Sequence, residues 1–207
     1  MQATIQDQRV LEQFADLLGY PYPGLATTAR ECSAAVAQES PEAAELLREF
    51  AAFVERTPYN VLEEIFTATF DLNASRHPYV GYHLFGEAYK RSVFMLELRD
   101  RYKQYDFNEG LEMPDHVAIM LRFMSRCPDY DTVAELCRDA LLVTLEPMMA
   151  LEIEAPVEEG EEIPPFFDVG DDYSRVLQAL RLVLLARYGA PAELEVIPLP
   201  EQSRLVS

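Results

Sequence analysis

The stretch VLEQFADLL (residues 10–18) shows the pattern that decides the fold. Its apolar residues recur at intervals of three and four, which places them on one face of an α-helix. Gly19 follows the last of them, and glycine commonly terminates helices. The next five residues, YPYPG (20–24), are rich in turn formers. The sequence therefore predicts an amphipathic first helix that ends in a turn.

The same helical spacing returns along most of the chain. We predict helices at about residues 27–38, 82–105, 131–149 and 173–188, and helices that open at Pro41, Pro58 and Met113. Ser40 and Thr57 each precede a proline and suit the N-cap position. Pro147 is expected to bend its helix or end it near Leu145. Along the helix at 82–105, the residues available for packing are Phe85, Tyr89, Val93, Leu96 and Tyr102.

Three segments interrupt this pattern. Residues 71–80 are rich in turn formers, and residues 152–172 hold nine acids, no base and three prolines. Such a composition cannot build a core, so we predict an acidic loop there, either a solvated linker or a segment that steers ligands toward a site. The tail from Gly189 is predicted to be extended. With no strand-like alternation and no internal repeat, the sequence predicts an all-α fold: a single-domain bundle (1–207) of about eight to ten helices.

Charge is the strongest compositional feature. Thirty-six acidic residues against 17 basic ones give a net charge of −19, and only two of the bases are lysines. We expect such a chain to bind neither nucleic acid nor anionic lipid. It would attract a basic partner and accelerate encounters with it. The alternative interpretation is that the charge only keeps the protein soluble.

The sequence also indicates a cellular compartment. No apolar run reaches the 18 residues of a membrane-spanning helix, and the first ten residues lack the features of a secretory signal. The three cysteines form no CxxC pair, which argues against a disulfide framework. Cys127 and Cys137 fall among core positions and are expected to be buried, inert thiols. We therefore predict a cytoplasmic protein without direct membrane insertion.

Motifs of catalysis and of cofactor binding are missing from the sequence. His77 and His83 are six residues apart, which separates them on a helix, and neither belongs to an HExxH motif. The chain has eight glycines and none of the glycine-based nucleotide or nucleophile motifs. The sequence therefore predicts a protein that is not an enzyme and that holds no metal and no cofactor.

Two blocks of sequence carry a family resemblance. The first runs from FTATFDLN (66–73) to YHLFGEAYKR (82–91), and the second is LEMPDH (111–116). In this order and separation they resemble the dedicated assembly chaperones of molybdenum reductases, which include the nitrate reductase assembly factor and the chaperones for trimethylamine oxide and dimethyl sulfoxide reductases. Ala88, Tyr89 and Ser92 depart from the nitrate reductase chaperone pattern. The FDLN and GEAYKR stretches are more similar to the sequences of chaperones whose client is an exported relative of nitrate reductase.

The resemblance implies a helical chaperone that binds the N-terminal leader of an apo catalytic subunit of a molybdenum oxidoreductase. It implies that the chaperone assists insertion of the molybdenum cofactor and delays membrane targeting or export of its client. Such leaders often carry paired arginines beside an apolar run. We expect the protein to be a monomer or a weak dimer.

A basic, partly helical leader would suit a groove with an apolar floor and an acidic rim, because carboxylates pair with the planar fork of arginine. Phe70, Tyr82, Phe85 and Tyr89 are candidates for the floor, and Glu87, Glu112 and Asp115 for the rim. The residues predicted to form the peptide-binding site are Phe70, Tyr82, Phe85, Glu87, Tyr89, Arg91, Glu112, Asp115 and His116.

Several of these residues also suit structural roles, which the sequence leaves open. Asp115 would complement the dipole of a helix that starts at Pro114. His116 is also explained as a structural histidine, and Phe85 as a core residue. Glu87 and Arg91 are four residues apart and suit a local helix pair.

Two other functions compete with the chaperone. One is a generic acidic helical adaptor or regulatory protein without a redox client. The other is a helical enzyme that uses Glu87, Asp115 and His116.

Overall fold

The computed structural model describes residues 5–149 and 171–190, and these ranges form an all-α arrangement, as predicted. The described ranges contain no β-strand and one isolated backbone bridge. The helices are α1 (Ile5–Leu17), α2 (Leu25–Val36), α3 (Pro41–Arg56), α4 (Tyr59–Phe66), α5 (Val80–Phe85), α6 (Tyr89–Gln104), α7 (Val117–Arg126), α8 (Tyr130–Leu136), α9 (Leu142–Met149) and α10 (Asp171–Tyr188). Two π-helical turns, Thr67–Asp71 and Cys137–Leu141, follow α4 and α8, and a 3₁₀ turn spans Ala74–Arg76.

The core forms where the apolar stripes of the helices meet. Helices α2 and α3 pack on each other, α1 packs on α2 and α7, and α10 packs on α3 and α9. The apolar residues of VLEQFADLL are all buried, as the pattern predicted. The apolar stripe of α10 is buried as well and consists of Val176, Leu177, Leu180, Val183 and Leu184. The three cysteines are free and buried, which confirms the prediction for Cys127 and Cys137. The helical periodicity therefore identified the core correctly.

One of the two predicted N-caps is confirmed and the other is wrong. The hydroxyl of Ser40 accepts a hydrogen bond from the Ala43 N–H at 3.3 Å, and Pro41 is the first residue of α3. Thr57 instead donates its hydroxyl to the Phe53 carbonyl oxygen at 2.7 Å. Thr57 therefore bonds to a carbonyl oxygen at the C-terminal end of α3, and Pro58 occupies the N-cap position of α4.

The prediction of a single helix over residues 82–105 is wrong, because the helix is interrupted at Gly86. That residue has φ +62° and ψ −149°, a conformation that essentially only glycine adopts. Helix α5 therefore ends at Phe85, and a separate helix, α6, starts at Tyr89. Of the side chains predicted to pack along this stretch, Tyr102 is buried and Phe85 half-buried, but Tyr89, Val93 and Leu96 are exposed.

The next helix begins later than predicted. Helix α7 starts at Val117 rather than at Met113, and the four residues before it form an extended turn. The helix predicted over 131–149 contains the π-helical turn Cys137–Leu141. It continues past Pro147 to Met149, so of the two effects predicted for Pro147, an end of the helix near Leu145 is wrong.

The two segments predicted to be unstructured fall largely outside the described residues. Of the acidic loop at 152–172, only the last two positions are described, and they belong to α10. Helix α10 ends at Tyr188, and Gly189 follows with φ +83°, so the predicted tail starts at the correct place. The rest of the tail lies outside the described ranges. Among the helices of 5–149 and 171–190, none has the length and apolar character needed to cross a membrane.

Candidate peptide-binding site

The two sequence blocks that carry the family resemblance meet in space. An antiparallel bridge joins Tyr79 to His116. On its two sides, the Val80 N–H donates to the Asp115 carbonyl oxygen and the Val117 N–H donates to the Pro78 carbonyl oxygen, each at 2.8 Å. The bridge therefore fixes the start of α5 against the turn that precedes α7.

A buried ion pair strengthens this junction. The Arg91 Nε donates to Oδ2 of Asp115 at 2.9 Å; the Asp115 side chain is 0% exposed and the Arg91 side chain 20%. The guanidinium also lies 5.4 Å from the centre of the Tyr79 ring. A Cβ at Gly81 would lie 2.8 Å from the same carboxylate oxygen, so only glycine lets α5 approach so closely. The pair fixes α6 to α5 and to the turn before α7.

This geometry corrects three of the interpretations made from sequence. Asp115 precedes the first turn of α7 and does not act there as a helix-dipole acid. Its side chain is 0% exposed and its Oδ2 is bonded to Arg91, so it is not part of an exposed acidic rim. Arg91 pairs with Asp115 rather than with Glu87, which is exposed in the turn between α5 and α6.

His116 caps α7. Its Nδ1 accepts a hydrogen bond from the Ala118 N–H at 3.1 Å, and its ring packs edge-to-face on Tyr79 at 5.5 Å. Burial lowers the pKa of His116, although the carboxylates of Glu112 and Asp115 oppose this effect. A neutral ring is what an Nδ1 acceptor requires. Glu112 itself is exposed and accepts hydrogen bonds from the Tyr79 hydroxyl and the Met113 N–H.

The aromatic residues predicted for the groove floor do not share one surface. Phe70 is 0% exposed and packs against Phe66 and Tyr173, so it belongs to the core. Tyr82 is half-buried between the rings of two histidines. Tyr89 is 83% exposed on the outer face of α6. Of the nine predicted residues, Phe85 lines the cleft described next.

That cleft lies between α5 and α6 on one side and α8 with its following π-helical turn on the other, and its volume is about 190 Å³. Apolar side chains form its floor, where the rings of Phe85 and Phe94 are 5.8 Å apart. The apolar lining consists of Leu84, Phe85, Phe94, Leu98, Leu136 and Ala140.

Charged side chains form the rim of the cleft. Arg101 Nη2 bonds to Oε1 of Glu135 at 2.6 Å and links its two sides. Glu97 and Asp139 also line the cleft, and within the described part of the chain neither has an ion-pair partner. None of these three carboxylates was predicted, because the sequence does not show that α6 and α8 come together. An apolar floor with unpaired carboxylates suits a ligand that is both apolar and basic.

Metal binding and catalysis find little support in the geometry. No group of histidine, cysteine, aspartate and glutamate residues suited to a metal ion occurs within 5–149 and 171–190. His83 Nε2 lies 2.7 Å from the His77 carbonyl oxygen, and burial lowers the pKa of His83. The enzyme hypothesis relied on Asp115 and His116, but the carboxylate of one is held in the buried pair and Nδ1 of the other accepts the capping hydrogen bond.

These features define an acidic, all-α protein with an amphipathic cleft. Residues 34–150 match the family model of the nitrate reductase delta subunit. The match covers more than half of the chain, and the chain belongs to this family, which is a family of molybdoenzyme maturation chaperones rather than of enzymes. The matched range contains both sequence blocks and every residue that lines the cleft. The search of curated proteins gave no match.

Proposed function

We propose that the protein binds the basic N-terminal leader of the catalytic subunit of a molybdenum oxidoreductase before that subunit receives its cofactor. Binding keeps the subunit open for insertion of the molybdenum cofactor and delays its membrane targeting or export. The protein acts in the cytoplasm, where such a subunit is synthesised. Family membership supports the chaperone function and favours it over an acidic adaptor without a redox client.

The observation that carries the leader proposal is the cleft between α6 and α8. Its apolar floor suits one face of a helical peptide, which is the helix-in-groove mode of recognition. Its unpaired carboxylates, Glu97 and Asp139, suit the arginines that flank the apolar run of a leader. The net charge of −19 adds long-range attraction for a basic peptide.

Six of the nine predicted site residues fall into two groups in this proposal. Phe85 contacts the leader directly, and the exposed side chains of Glu87 and Glu112 add to the acidic surface of the protein. Arg91, Asp115 and His116 act from inside the protein by holding α5, α6 and the start of α7 in position.

Titration with a synthetic leader peptide tests this proposal. The peptide carries two adjacent arginines before an apolar run, and a second peptide has glutamines in place of both arginines. Isothermal titration calorimetry at low salt should show saturable binding of the arginine peptide. The Glu97→Gln/Asp139→Asn variant should raise its dissociation constant about tenfold or more, because each lost pair removes roughly 1 kcal/mol.

The matched control is Glu42→Gln/Glu64→Gln, which changes the charge equally at exposed positions that do not line the cleft. It should change the dissociation constant less than about twofold. No saturable binding, equal affinity for the two peptides, or equal effects of the two double variants would count against the leader site. In cells, unchanged molybdoenzyme activity after deletion of the gene would favour the adaptor instead.

A further inference from the structure

The outer face of α6 differs from the rest of the molecule. Tyr89, Val93 and Leu96 follow each other at intervals of four and three, and they are 83%, 36% and 60% exposed. They form one stripe, which we call the outer stripe of α6. The opposite face of the same helix buries Leu98 and Tyr102 in the core. Helix α6 is therefore apolar on two faces, and only one of them packs against the described part of the protein.

The charge of α6 is also unusual for this chain. The helix carries five basic and two acidic residues, including both lysines of the protein, although the net charge of the whole chain is −19. Most of these charges are paired within the protein, and of the seven only Lys90 and Glu97 lack an ion pair in the described residues. One free charge of each sign therefore lies beside the outer stripe. The occupant should pair with both signs of charge beside an apolar stripe.

A second copy of α6 meets these requirements. Lys90 and Glu97 lie one on each side of Val93 along the helix and share one edge of the outer stripe, because seven residues are close to two helical turns. Neither forms an ion pair within the described residues. In an antiparallel crossing centred on Val93, the Lys90 of each copy comes opposite the Glu97 of the other, and Tyr89 comes opposite Leu96.

We propose that the outer stripe of α6 is a self-association surface, on which two copies of this chain form a two-fold symmetric, antiparallel dimer. The contact is isologous, so it closes on itself and stops at two copies. Each dimer contains two Lys90–Glu97 pairs and one apolar seam.

The size of the stripe sets the strength of this dimer. Three side chains cover much less than the about 800 Å² that each partner buries in a standard interface. The dissociation constant should therefore be of the order of 100 µM, so the protein is monomeric when dilute. The net negative charge of each copy does not prevent the contact at physiological salt. Repulsion between charges farther apart than about 8 Å is largely screened, so the charges at the outer stripe itself determine the interaction.

Cysteine cross-linking tests the geometry. All three native cysteines are buried, so Val93→Cys introduces an accessible thiol. The two introduced thiols face each other across the symmetry axis, and a disulfide requires Cα atoms within about 7 Å. Mild oxidation should convert most of this variant to a covalent dimer. Glu42→Cys, at an exposed position of α3, is the matched control and should stay monomeric.

Charge reversal tests the pairing in the protein without added cysteines. Sedimentation velocity over a concentration series should show a dimer that Lys90→Glu weakens about tenfold, because two pairs become like-charged at once. The double variant Lys90→Glu/Glu97→Lys should restore dimerisation, since it exchanges the two signs. A protein that remains monomeric at millimolar concentration, equal cross-linking of the two cysteine variants, or no restoration by the double variant would overturn the proposal.

Discussion

Replacement of Arg91 by methionine is the perturbation whose outcome follows most directly from the structure. Methionine keeps the apolar stem that packs near Gly81 but removes the guanidinium. The Asp115 carboxylate then stays in the interior, 0% exposed, without its ion partner. Breaking a buried pair in this way costs about 3–5 kcal/mol. Since 1 kcal/mol shifts the melting temperature of a protein of this size by roughly 3 °C, we expect a decrease of roughly 10 °C.

The reverse change should cost less. Asp115→Asn keeps the shape of the side chain and an oxygen acceptor for the Arg91 Nε, and the guanidinium still reaches solvent because it is 20% exposed. Loss of the charge from this hydrogen bond should cost about 1–2 kcal/mol. The order of the two effects follows from the unequal burial of the partners, because the deeper charge depends more on its counterion.

Urea unfolding followed by circular dichroism measures both variants, and the midpoint and slope give the free energy of unfolding. Arg48→Met is the control, because Arg48 pairs with Glu45 on the exposed surface of α3 and its loss should cost less than about 0.5 kcal/mol. If Arg91→Met cost no more than Arg48→Met, or less than Asp115→Asn, the Arg91–Asp115 pair would not be the contact that fixes the junction.

Three further changes have defined outcomes. His116→Ala should lower the free energy of unfolding by about 1 kcal/mol in urea because α7 loses its N-cap, whereas His116→Asn should retain most of it. Gly86→Ala should cost about 1–3 kcal/mol by the same measurement, because alanine does not tolerate φ +62° with ψ −149°. Burial raises the pKa of Cys32 and Cys137 to about 12 from an ordinary value of 9.0, so the folded protein retains protons that the unfolded chain releases above pH 9. Their contribution to stability is complete below pH 9 and is lost as the pH rises toward 12. The urea midpoint should therefore be lower at pH 10 than at pH 8, and an unchanged midpoint would contradict the burial of these thiols.

The parts of the fold that were predictable depend on information that is local in sequence. Apolar residues three and four apart in VLEQFADLL identified the buried face of α1, because residues about one helical turn apart lie on the same face. Ser40 before Pro41 marked the start of α3 from equally local information, because the cap accepts a hydrogen bond from a backbone N–H only three residues away. Neither prediction required knowledge of another part of the chain.

The errors arose where a distant contact decides the local structure. The helical spacing of apolar residues continues through Gly86, so the sequence alone favoured one helix where the chain turns. Asp115 looked like a first-turn acid because it follows a proline, but its partner Arg91 is 24 residues earlier in the sequence. The cleft carboxylates Glu97 and Asp139 were missed because they belong to different elements, α6 and the π-helical turn after α8, and line one cleft only in the folded chain.

One signal for the missed surfaces was present in the sequence. Helix α6 repeats apolar residues on two faces, and a helix of this kind has more apolar surface than one contact with a core can cover. Tyr89 and Leu96 were assigned to packing within the chain, whereas they are exposed. An excess of apolar faces, taken with the concentration of lysine on the same helix, indicates an additional surface for binding.

Glu97 connects the two proposals, because it lines the cleft and also belongs to the edge of the outer stripe of α6. One carboxylate cannot pair fully with an arginine of a leader and with Lys90 of a second copy. Leader binding and dimerisation should therefore oppose each other, and by linkage each weakens the other by the same factor. Added leader peptide should shift the sedimentation of the wild-type protein toward monomer, while the glutamine form of the peptide should not. Lys90→Glu should bind the leader normally, since Lys90 does not line the cleft. If the leader instead left the dimer intact, Glu97 would serve only one of the two surfaces, and the peptide titrations of the Glu97 variant would show which.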